Sequence, residues 1–352
     1  MTMNGRFLGW LGLLASLGML GCGDDVAASG ETLMLDIPPI ELENGEEITG
    51  LCYRWTLDNE EPLYVNSNHM RGTRGIHHSN WFFVPEDTYP GEDGFFDCPG
   101  FDTSGTALRG GVLFAQSTQA LDETQGFEPG VVNPIPPHSQ IVVDLHLLNT
   151  YGEDLETDID LEVSTLPPSQ VETELIAFAI SYDALEIQPQ GRTEFSLECD
   201  FNTQHVAAFG RPLDFRVHYV LPHYHALGDL LRLEVMGGPN DGQTMWETRS
   251  SIGEVLGGMP DPAVGDLTGA TGIRMTCGFD NPDNDVVKWG VGDQEMCITF
   301  GFTDSERMWA GAVLDHSSSG QVGETEDGTI LYEADCDVVN AIPDGVENLD
   351  DL

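Results

Sequence analysis

The chain has 352 residues, enough for about two domains, and 40% of them are hydrophobic, which excludes a disordered protein. Its 60 acidic residues outnumber 13 lysines and arginines, so the formal net charge is −47. A surface this acidic repels phosphate backbones and anionic lipid headgroups. The charge therefore argues against nucleic-acid binding and against direct contact with a membrane surface.

Residues 1–21 have the pattern of a secretory signal peptide, with one arginine before an apolar run over 7–20. That run is shorter than the roughly 20 residues of a membrane-spanning helix. Residues 19–22 resemble a bacterial lipobox, although methionine stands where leucine is usual. We predict lipidation of Cys22, a tether over 22–35, and an exported lipoprotein of the bacterial cell envelope, on the periplasmic or outer-surface side, that touches the membrane only through its lipid. Simple cleavage that discards Cys22 is the alternative.

The remaining cysteines are even in number, which in an exported chain indicates disulfide bonds. They are Cys52, Cys98, Cys199, Cys277, Cys297 and Cys336. Six cysteines allow 15 connectivities, and the residues alone do not choose among them. The sequence contains no CxxC pair, so we expect no thiolate zinc site.

Short apolar–polar alternation recurs along the chain, and long stretches of helical periodicity are missing from the sequence. Clear examples are 140–149, 175–182 and 214–221. Together with 41 glycines and 20 prolines that interrupt these runs, the pattern predicts an all-β protein built from two β-sandwich, jelly-roll-like domains in tandem, stapled by disulfides.

The break between the two domains is placed at the Pro- and Gly-containing segment 187–191, which separates two strand-like runs. We therefore predict an N-terminal sandwich over 36–187 and a C-terminal sandwich over 188–340. The acidic residues 341–352 carry little pattern and are expected to form a tail.

The pair His223 and His225 is the most readable histidine motif. In an extended segment, residues two apart point to the same face, so both imidazoles can reach one metal ion. A third ligand must then come from elsewhere in the chain. On its own, a His-x-His pair is a weak signal for metal binding.

The adjacent residues His77 and His78 would point to opposite faces of a regular strand, so joint binding requires an irregular backbone. Gly72 and Gly75 make such a distortion plausible. Read alone, the doublet is also compatible with a surface or core position. His146, inside a predicted strand, would by itself be read as a partly buried histidine.

Six short segments in order resemble the family of copper type II, ascorbate-dependent monooxygenases. They are Cys52-Tyr-Arg-Trp55, Ile76-His77-His78-Ser79, Val143-Asp-Leu-His146-Leu-Leu-Asn149, Leu221-Pro-His223-Tyr-His225, Met275-Thr-Cys277-Gly-Phe-Asp-Asn281 and Glu295-Met296-Cys297. The resemblance extends from about residue 51 to residue 336. It implies two copper ions per chain, one in each domain, facing each other across a solvent cleft.

The resemblance implies a ligand set for each ion. The electron-transferring copper would be held by His77, His78 and His146. The oxygen-activating copper would be held by the catalytic residues His223, His225 and Met296. A thioether is a soft ligand that favours Cu(I), whereas filling space in the core is the alternative role of a methionine.

The same resemblance implies the reaction: hydroxylation of an activated C–H bond of a small organic substrate with O₂ and ascorbate or another one-electron reductant. It also implies the disulfides Cys52–Cys98, Cys199–Cys336 and Cys277–Cys297. A non-catalytic copper-binding surface lipoprotein is the alternative function, and a zinc or purely structural protein is a third.

Two further observations qualify these expectations. Asp144 and Glu295 are candidates for orienting the imidazoles, although ordinary solvated acids are an equal alternative in so acidic a chain. Where the peptide-amidating members bind a carboxylate, this chain has Leu221, Ile298 and Phe300, which cannot do so. Peptidylglycine is therefore not expected as a substrate.

Overall fold

The computed structural model describes residues 30–117, 119–250, 256–290, 294–316 and 319–341. Strands dominate these residues, so the predicted all-β class is confirmed. Twenty-four strands, three short α-helices and one 3₁₀ turn occur in them. In chain order they are β1 (Thr32–Leu42), β2 (Glu47–Thr56), β3 (Leu63–Gly72), β4 (Ile76–Val84), β5 (Gly94–Asp97), α1 (Thr103–Arg109), β6 (Gly111–Ala115), β7 (Asp122–Gly126), β8 (Val131–Ile135), β9 (Gln140–Leu148), β10 (Leu155–Leu166), the 3₁₀ turn (Pro168–Gln170), β11 (Thr173–Glu174), β12 (Ile176–Tyr182), β13 (Glu186–Ile187), β14 (Gly191–Cys199), α2 (Phe201–Phe209), β15 (Val217–His223), β16 (Gly228–Met236), β17 (Thr244–Thr248), α3 (Pro262–Gly265), β18 (Gly272–Asn281), β19 (Val287–Lys288), β20 (Ile298–Thr303), β21 (Met308–Val313), β22 (Ser319–Glu324), β23 (Ile330–Asp335) and β24 (Asp337–Ala341).

Two sheets form the first sandwich. One has the strand order β1-β10-β3-β8-β11, with β7 also paired to β3, and the other has the order β5-β2-β9-β4-β6. The central strand β9 alternates apolar side chains that enter the core between the sheets, such as Ile141, Val143 and Leu145, with residues on its other face. His146 and Asp144 occupy that second face, because side chains alternate along a strand.

Two sheets of the same sizes, one of five strands and one of six, form the second sandwich. Their orders are β15-β20-β12-β21-β24 and β17-β16-β18-β14-β23-β22, and β13 pairs with β19 in a separate two-stranded ribbon. The core between them contains large buried aromatic side chains, among them Tyr182, Phe195 and Trp309. The prediction of two sandwiches is therefore confirmed.

The domain boundary predicted at 187/188 lies too late in the chain. β11 still pairs with β8 of the first sandwich, whereas β12 already pairs with β20 and β21 of the second. The change of sandwich therefore falls at Leu175. The segment chosen from sequence is the turn between β13 and β14, where Gln190 has a positive φ of 54°. A turn inside a domain carries the same Pro and Gly signal as a linker.

The two sandwiches share an apolar cluster. Phe82, Val112 and Val131 of the first half pack with residues such as Tyr219 and Phe302 of the second half, and all five are buried. Burying apolar surface between the halves stabilises one arrangement of the two sandwiches.

Three disulfide bonds have the pairing that the resemblance implied, Cys52–Cys98, Cys199–Cys336 and Cys277–Cys297. The first lies in the first sandwich, and the other two lie in the second. The predicted tether over 22–35 is too long, because β1 begins at Thr32.

The predicted signal peptide and Cys22 lie outside the described residues, as do residues 342–352 of the predicted tail. Among the residues that are described, no helix has the length and apolar character needed to cross a membrane.

Candidate metal centre

The doublet and His146 lie on neighbouring antiparallel strands, β4 and β9. His78 stands directly opposite His146, and the register shifts between Ile76 and His78, so His77 is the extra residue of a β-bulge. Gly75, with φ +104°, precedes the bulge. This irregular backbone brings both rings of the doublet towards His146, with ring centroids 4.5 Å from His77 and 5.0 Å from His78.

The second histidine pair lies at the end of β15. The Nε2 atoms of His223 and His225 are 3.3 Å apart, as expected for residues two apart in extended chain. Met296 lies just before β20, whose residue Ile298 pairs with His223. The adjacent Cys297 is bonded to β18, so this segment is covalently attached to the opposite sheet.

The side chain of Glu295 holds the turn after β15 in place. Its carboxylate accepts hydrogen bonds from the backbone N–H groups of His225, at 2.8 Å, and Leu227, at 2.7 Å. Burial raises the pKa of Glu295 to about 7, and the hydrogen bonds from backbone N–H groups oppose that rise. Glu295 therefore positions the backbone of His225, whereas the sequence suggested contact with an imidazole.

The five histidines form one cluster at the junction of the sandwiches. Across the junction, the ring centroids of His78 and His223 are 5.6 Å apart, and those of His77 and His225 are 6.3 Å apart. Within each half, neighbouring rings are 4.5 to 5.5 Å apart. In the described structure, the rings of the two halves therefore lie next to each other, whereas the resemblance implied a solvent cleft between two separate sites.

Burial favours the neutral form of four of these imidazoles, those of His77, His78, His223 and His225. It lowers the pKa of His77 to about 4 and that of His223 to about 3, and neighbouring imidazoles add to the effect. The pKa values of His78 and His225 are also lowered, mainly by burial. A neutral imidazole has a free lone pair, which is the form that binds a metal ion.

Two features of the first half resemble the surroundings of metal-binding histidines. The Nε2 atom of His146 lies 2.8 Å from a carboxylate oxygen of Glu47, which leaves Nδ1 facing His78. Such carboxylate contacts commonly orient metal-binding imidazoles. The Nδ1 atom of His78 is buried without a hydrogen-bond partner, and it lies on a different edge of the ring from Nε2, which faces His146.

Glu47 is one of 60 acidic residues, and no local pattern in the sequence distinguishes it from the others. Only the pairing of β2 with β9, which sets Glu47 opposite Leu148, brings it near His146. Asp144 was proposed for the same role, but no hydrogen bond among the described residues joins it to a histidine.

The histidine nitrogens are arranged as two close pairs. His146 Nδ1 and His78 Nε2 are 3.3 Å apart, as are the Nε2 atoms of His223 and His225. Two ligands of a tetrahedral ion with metal–nitrogen bonds of about 2.0–2.1 Å are separated by about 3.3 Å. In the described part of the chain, no three histidines bring one nitrogen each within 4.8 Å of one another, so a third imidazole must rotate to join a pair.

A cavity of about 380 Å³ adjoins the cluster. Residues of both sandwiches form its walls, and several of them are potential metal ligands. These are His78, His146, His223 and Met296. Much of the remaining wall is apolar, including Phe101 and Phe300, and Asp144 also faces the cavity. Burial raises the pKa of Asp144 to about 6.

Comparisons with known proteins give no support to the predicted family. No protein-family model and no curated protein matches this chain. The chain is similar in structure to the major capsid protein P2 of bacteriophage PM2, with a TM-score of 0.30, 8% identity, and coverage of 78% of this chain and 97% of that one. It is also similar to PBCV-1 VP54 fitted into a reconstruction of the virophage Sputnik, with a TM-score of 0.24, 6% identity, and coverage of 78% and 95%.

A third similar structure is that of Sulfolobus Turreted Icosahedral Virus, with a TM-score of 0.19, 9% identity, and coverage of 76% of this chain and 60% of that one. At these TM-scores the similarity assigns no function of the viral proteins to the present chain.

The interpretation of the chain as a copper type II monooxygenase is therefore corrected. The comparisons found viral capsid proteins and no member of that family, which contradicts the predicted family, the predicted hydroxylation and the classification as an enzyme. The catalytic roles given to His223, His225 and Met296 are withdrawn with them. Short histidine and cysteine motifs specify local ligand placement, and they do not by themselves specify a reaction.

Proposed function

We propose that this protein binds soft or borderline transition-metal ions, copper foremost, at the five histidines and Met296 between its two sandwiches. The observation that carries the proposal is the convergence of five imidazoles from both halves, three of them buried and two half-buried, with the ring of His78 5.0 Å from that of His146 and 5.6 Å from that of His223. Apart from the histidine cluster, the described residues include one group of three side chains whose potential ligand atoms lie close together, namely Cys52, Cys98 and Asp144. The two sulfurs of this group are already joined in a disulfide.

The chemistry of the donor set favours copper. Imidazole binds zinc, copper, iron and nickel, whereas a thioether selects Cu(I). Met296 shares a cavity wall with three of the histidines. The one carboxylate hydrogen-bonded to a histidine ring of the cluster, among the described residues, is that of Glu47. A site poor in oxygen ligands disfavours Mg²⁺ and Ca²⁺.

The cavity beside the cluster supports a small organic molecule as a further partner. Its volume of about 380 Å³ and its largely apolar walls are typical of small-molecule sites. Trp289 lies in its wall and provides an intrinsic probe, because a bound molecule would change the fluorescence of the indole.

We also propose that the chain acts in the bacterial cell envelope, anchored through Cys22. Three disulfides suit an oxidising compartment, and the lipobox-like segment over 19–22 supports the anchor. Replacement of Cys22 by Ser should move the protein from the membrane fraction to the soluble fraction of the expressing cells. Retention of the variant in the membrane fraction would argue against the anchor.

The metal proposal is tested by competition titrations of the purified metal-free protein. Cu(I) is supplied anaerobically against a chromophoric chelator, and Zn²⁺ is measured by calorimetry. We expect His78→Ala to weaken both ions about 10- to 100-fold, and Met296→Leu to weaken Cu(I) about tenfold with a much smaller effect on Zn²⁺.

His69→Ala is the matched control, because His69 lies on β3 and is hydrogen-bonded to Asp122, away from the cluster. Its affinities should equal those of the unmodified protein. A protein that retains neither ion, or a His69→Ala variant as weak as His78→Ala, would contradict the proposed function.

A further inference from the structure

We infer that the cluster holds a single divalent ion shared between the two sandwiches, and that it accepts two ions per chain only when they are monovalent. The inference rests on the proposed metal binding. It states which histidines bind the same ion. Separate sites would divide the histidines by sandwich, whereas a shared site combines histidines of both sandwiches.

The distances between the imidazole rings allow one ion to be shared. Two imidazoles on one tetrahedral ion have ring centroids about 5 Å apart when the metal–nitrogen bonds are about 2.0–2.1 Å. The pairs His78–His146, at 5.0 Å, and His223–His225, at 5.2 Å, meet this distance within their own halves. The pair His78–His223, at 5.6 Å, nearly meets it across the junction. A small rotation of either ring therefore suffices for a shared ion.

Ligands from both sandwiches face the same cavity. His78 and His146 of the first half line the same cavity as His223 and Met296 of the second half. His77 and His225 are not among the residues that line it. The four ligands that face one space thus come from both sandwiches, two from each. An ion in that space would contact both halves at once.

Electrostatic repulsion opposes the binding of a second divalent ion in the cluster. Repulsion between two divalent ions is four times that between two monovalent ions at the same separation, and a buried site screens it weakly. Imidazoles bring no negative charge to offset it, and the described acids at the cluster are few: Glu47 at the ring of His146, Glu295 at the backbone N–H of His225, and Asp144 in the cavity wall. A second divalent ion is therefore strongly disfavoured once the first is bound.

The test measures stoichiometry in the full chain. Metal-free protein is dialysed to equilibrium against Zn²⁺ or, anaerobically, against Cu(I), and bound metal is counted by mass spectrometry. We expect one tightly bound Zn²⁺, with any second Zn²⁺ at least about 100-fold weaker, and two bound Cu(I) ions. Two equivalent Zn²⁺ ions would overturn the inference and leave the proposed function standing.

Variants in each half test whether the two sandwiches bind the same ion. We expect His78→Ala and His223→Ala each to weaken the one Zn²⁺ about 10- to 100-fold, and the double variant to bind it more weakly than either. If sites are separate, His223→Ala retains one Zn²⁺ at full affinity, which contradicts sharing. Loss of all metal binding by the unmodified protein would contradict the proposed function itself.

Circular dichroism verifies that each variant is folded. The Zn²⁺ to Cu(I) ratio of the unmodified protein tests the inference without any variant.

Discussion

The carboxylate of Glu295 accepts a hydrogen bond from the backbone N–H of His225 at 2.8 Å, so a buried acid positions a proposed metal ligand through its main chain. Replacement of Glu295 by Ala would leave the N–H groups of His225 and Leu227 buried without acceptors. We expect a loss of about 2–4 kcal/mol in the free energy of unfolding, at about 1–2 kcal/mol per unpaired group. Copper affinity should fall about 10- to 100-fold.

Denaturant unfolding and chelator competition measure the two effects. Glu295→Gln keeps one acceptor oxygen and should recover part of both losses. Equal effects of Gln and Ala would show that the hydrogen bonds to the backbone are not what holds the turn.

The stabilisation by each disulfide is expected to increase with the length of the loop that it closes. Cys199–Cys336 spans 137 residues, Cys52–Cys98 spans 46 and Cys277–Cys297 spans 20. Loop-closure entropy predicts that removing the first pair costs about 1.7 kcal/mol more than removing the last. Paired Cys→Ala variants, compared by urea unfolding, should place Cys52–Cys98 between the other two. A reversed order would show that contacts of the native state outweigh loop closure.

Phe127 anchors the first sandwich on the second. Its ring meets Tyr219 and Phe302 edge-on, with centroids 5.9 and 5.2 Å away. We expect Phe127→Ala to lower the free energy of unfolding by about 2–4 kcal/mol, because it removes apolar contacts at the junction. Phe95, on β5, is 42% exposed, and Phe95→Ala is the control, with less than half that loss. Comparable losses of unfolding free energy for Phe127→Ala and Phe95→Ala, measured by guanidinium unfolding, would contradict the anchoring role of Phe127.

Glu123 gives the protein a specific pH dependence. Its side chain is 4% exposed, and burial raises its pKa above the usual value of a glutamate, although hydrogen bonds from Gln125 and Ser117 oppose the shift. The folded protein therefore binds this proton more readily than the unfolded chain does. Because of this linkage, the contribution of Glu123 to stability rises as the pH falls from neutral through its raised pKa towards about 4.5.

The comparison is between the unmodified protein and Glu123→Gln, by denaturant unfolding at pH 7, 6 and 5. The difference in unfolding free energy should move in favour of the unmodified protein as the pH falls. A constant difference across this range would contradict the shift.

Much of the architecture follows from local patterns. Alternation along β9 assigned its apolar residues to the core and His146 to the other face, because side chains alternate in any strand. The even number of cysteines indicated disulfides, and residues two apart in extended chain had to bring His223 and His225 together. The adjacent histidines His77 and His78 required an irregular backbone to act together, and β4 contains that bulge.

Other features depend on packing between distant segments. The domain boundary lies at Leu175, whereas the sequence placed it at 187/188, because a turn within a domain and a linker between domains contain the same residue types. Glu47 reaches His146 only through strand pairing. The short motifs also suggested a family and a reaction that the comparisons contradict.

What the sequence by itself determined is therefore the class of fold, and it named the candidate histidine ligands, because both depend on the period of the chain and on residue type. Only the tertiary structure decided that His78 and His223 lie 5.6 Å apart. That separation is determined by how the sandwiches pack, through apolar contacts such as those of the half-buried Phe127, and no local pattern encodes the distance between residues of two sandwiches that are remote in sequence.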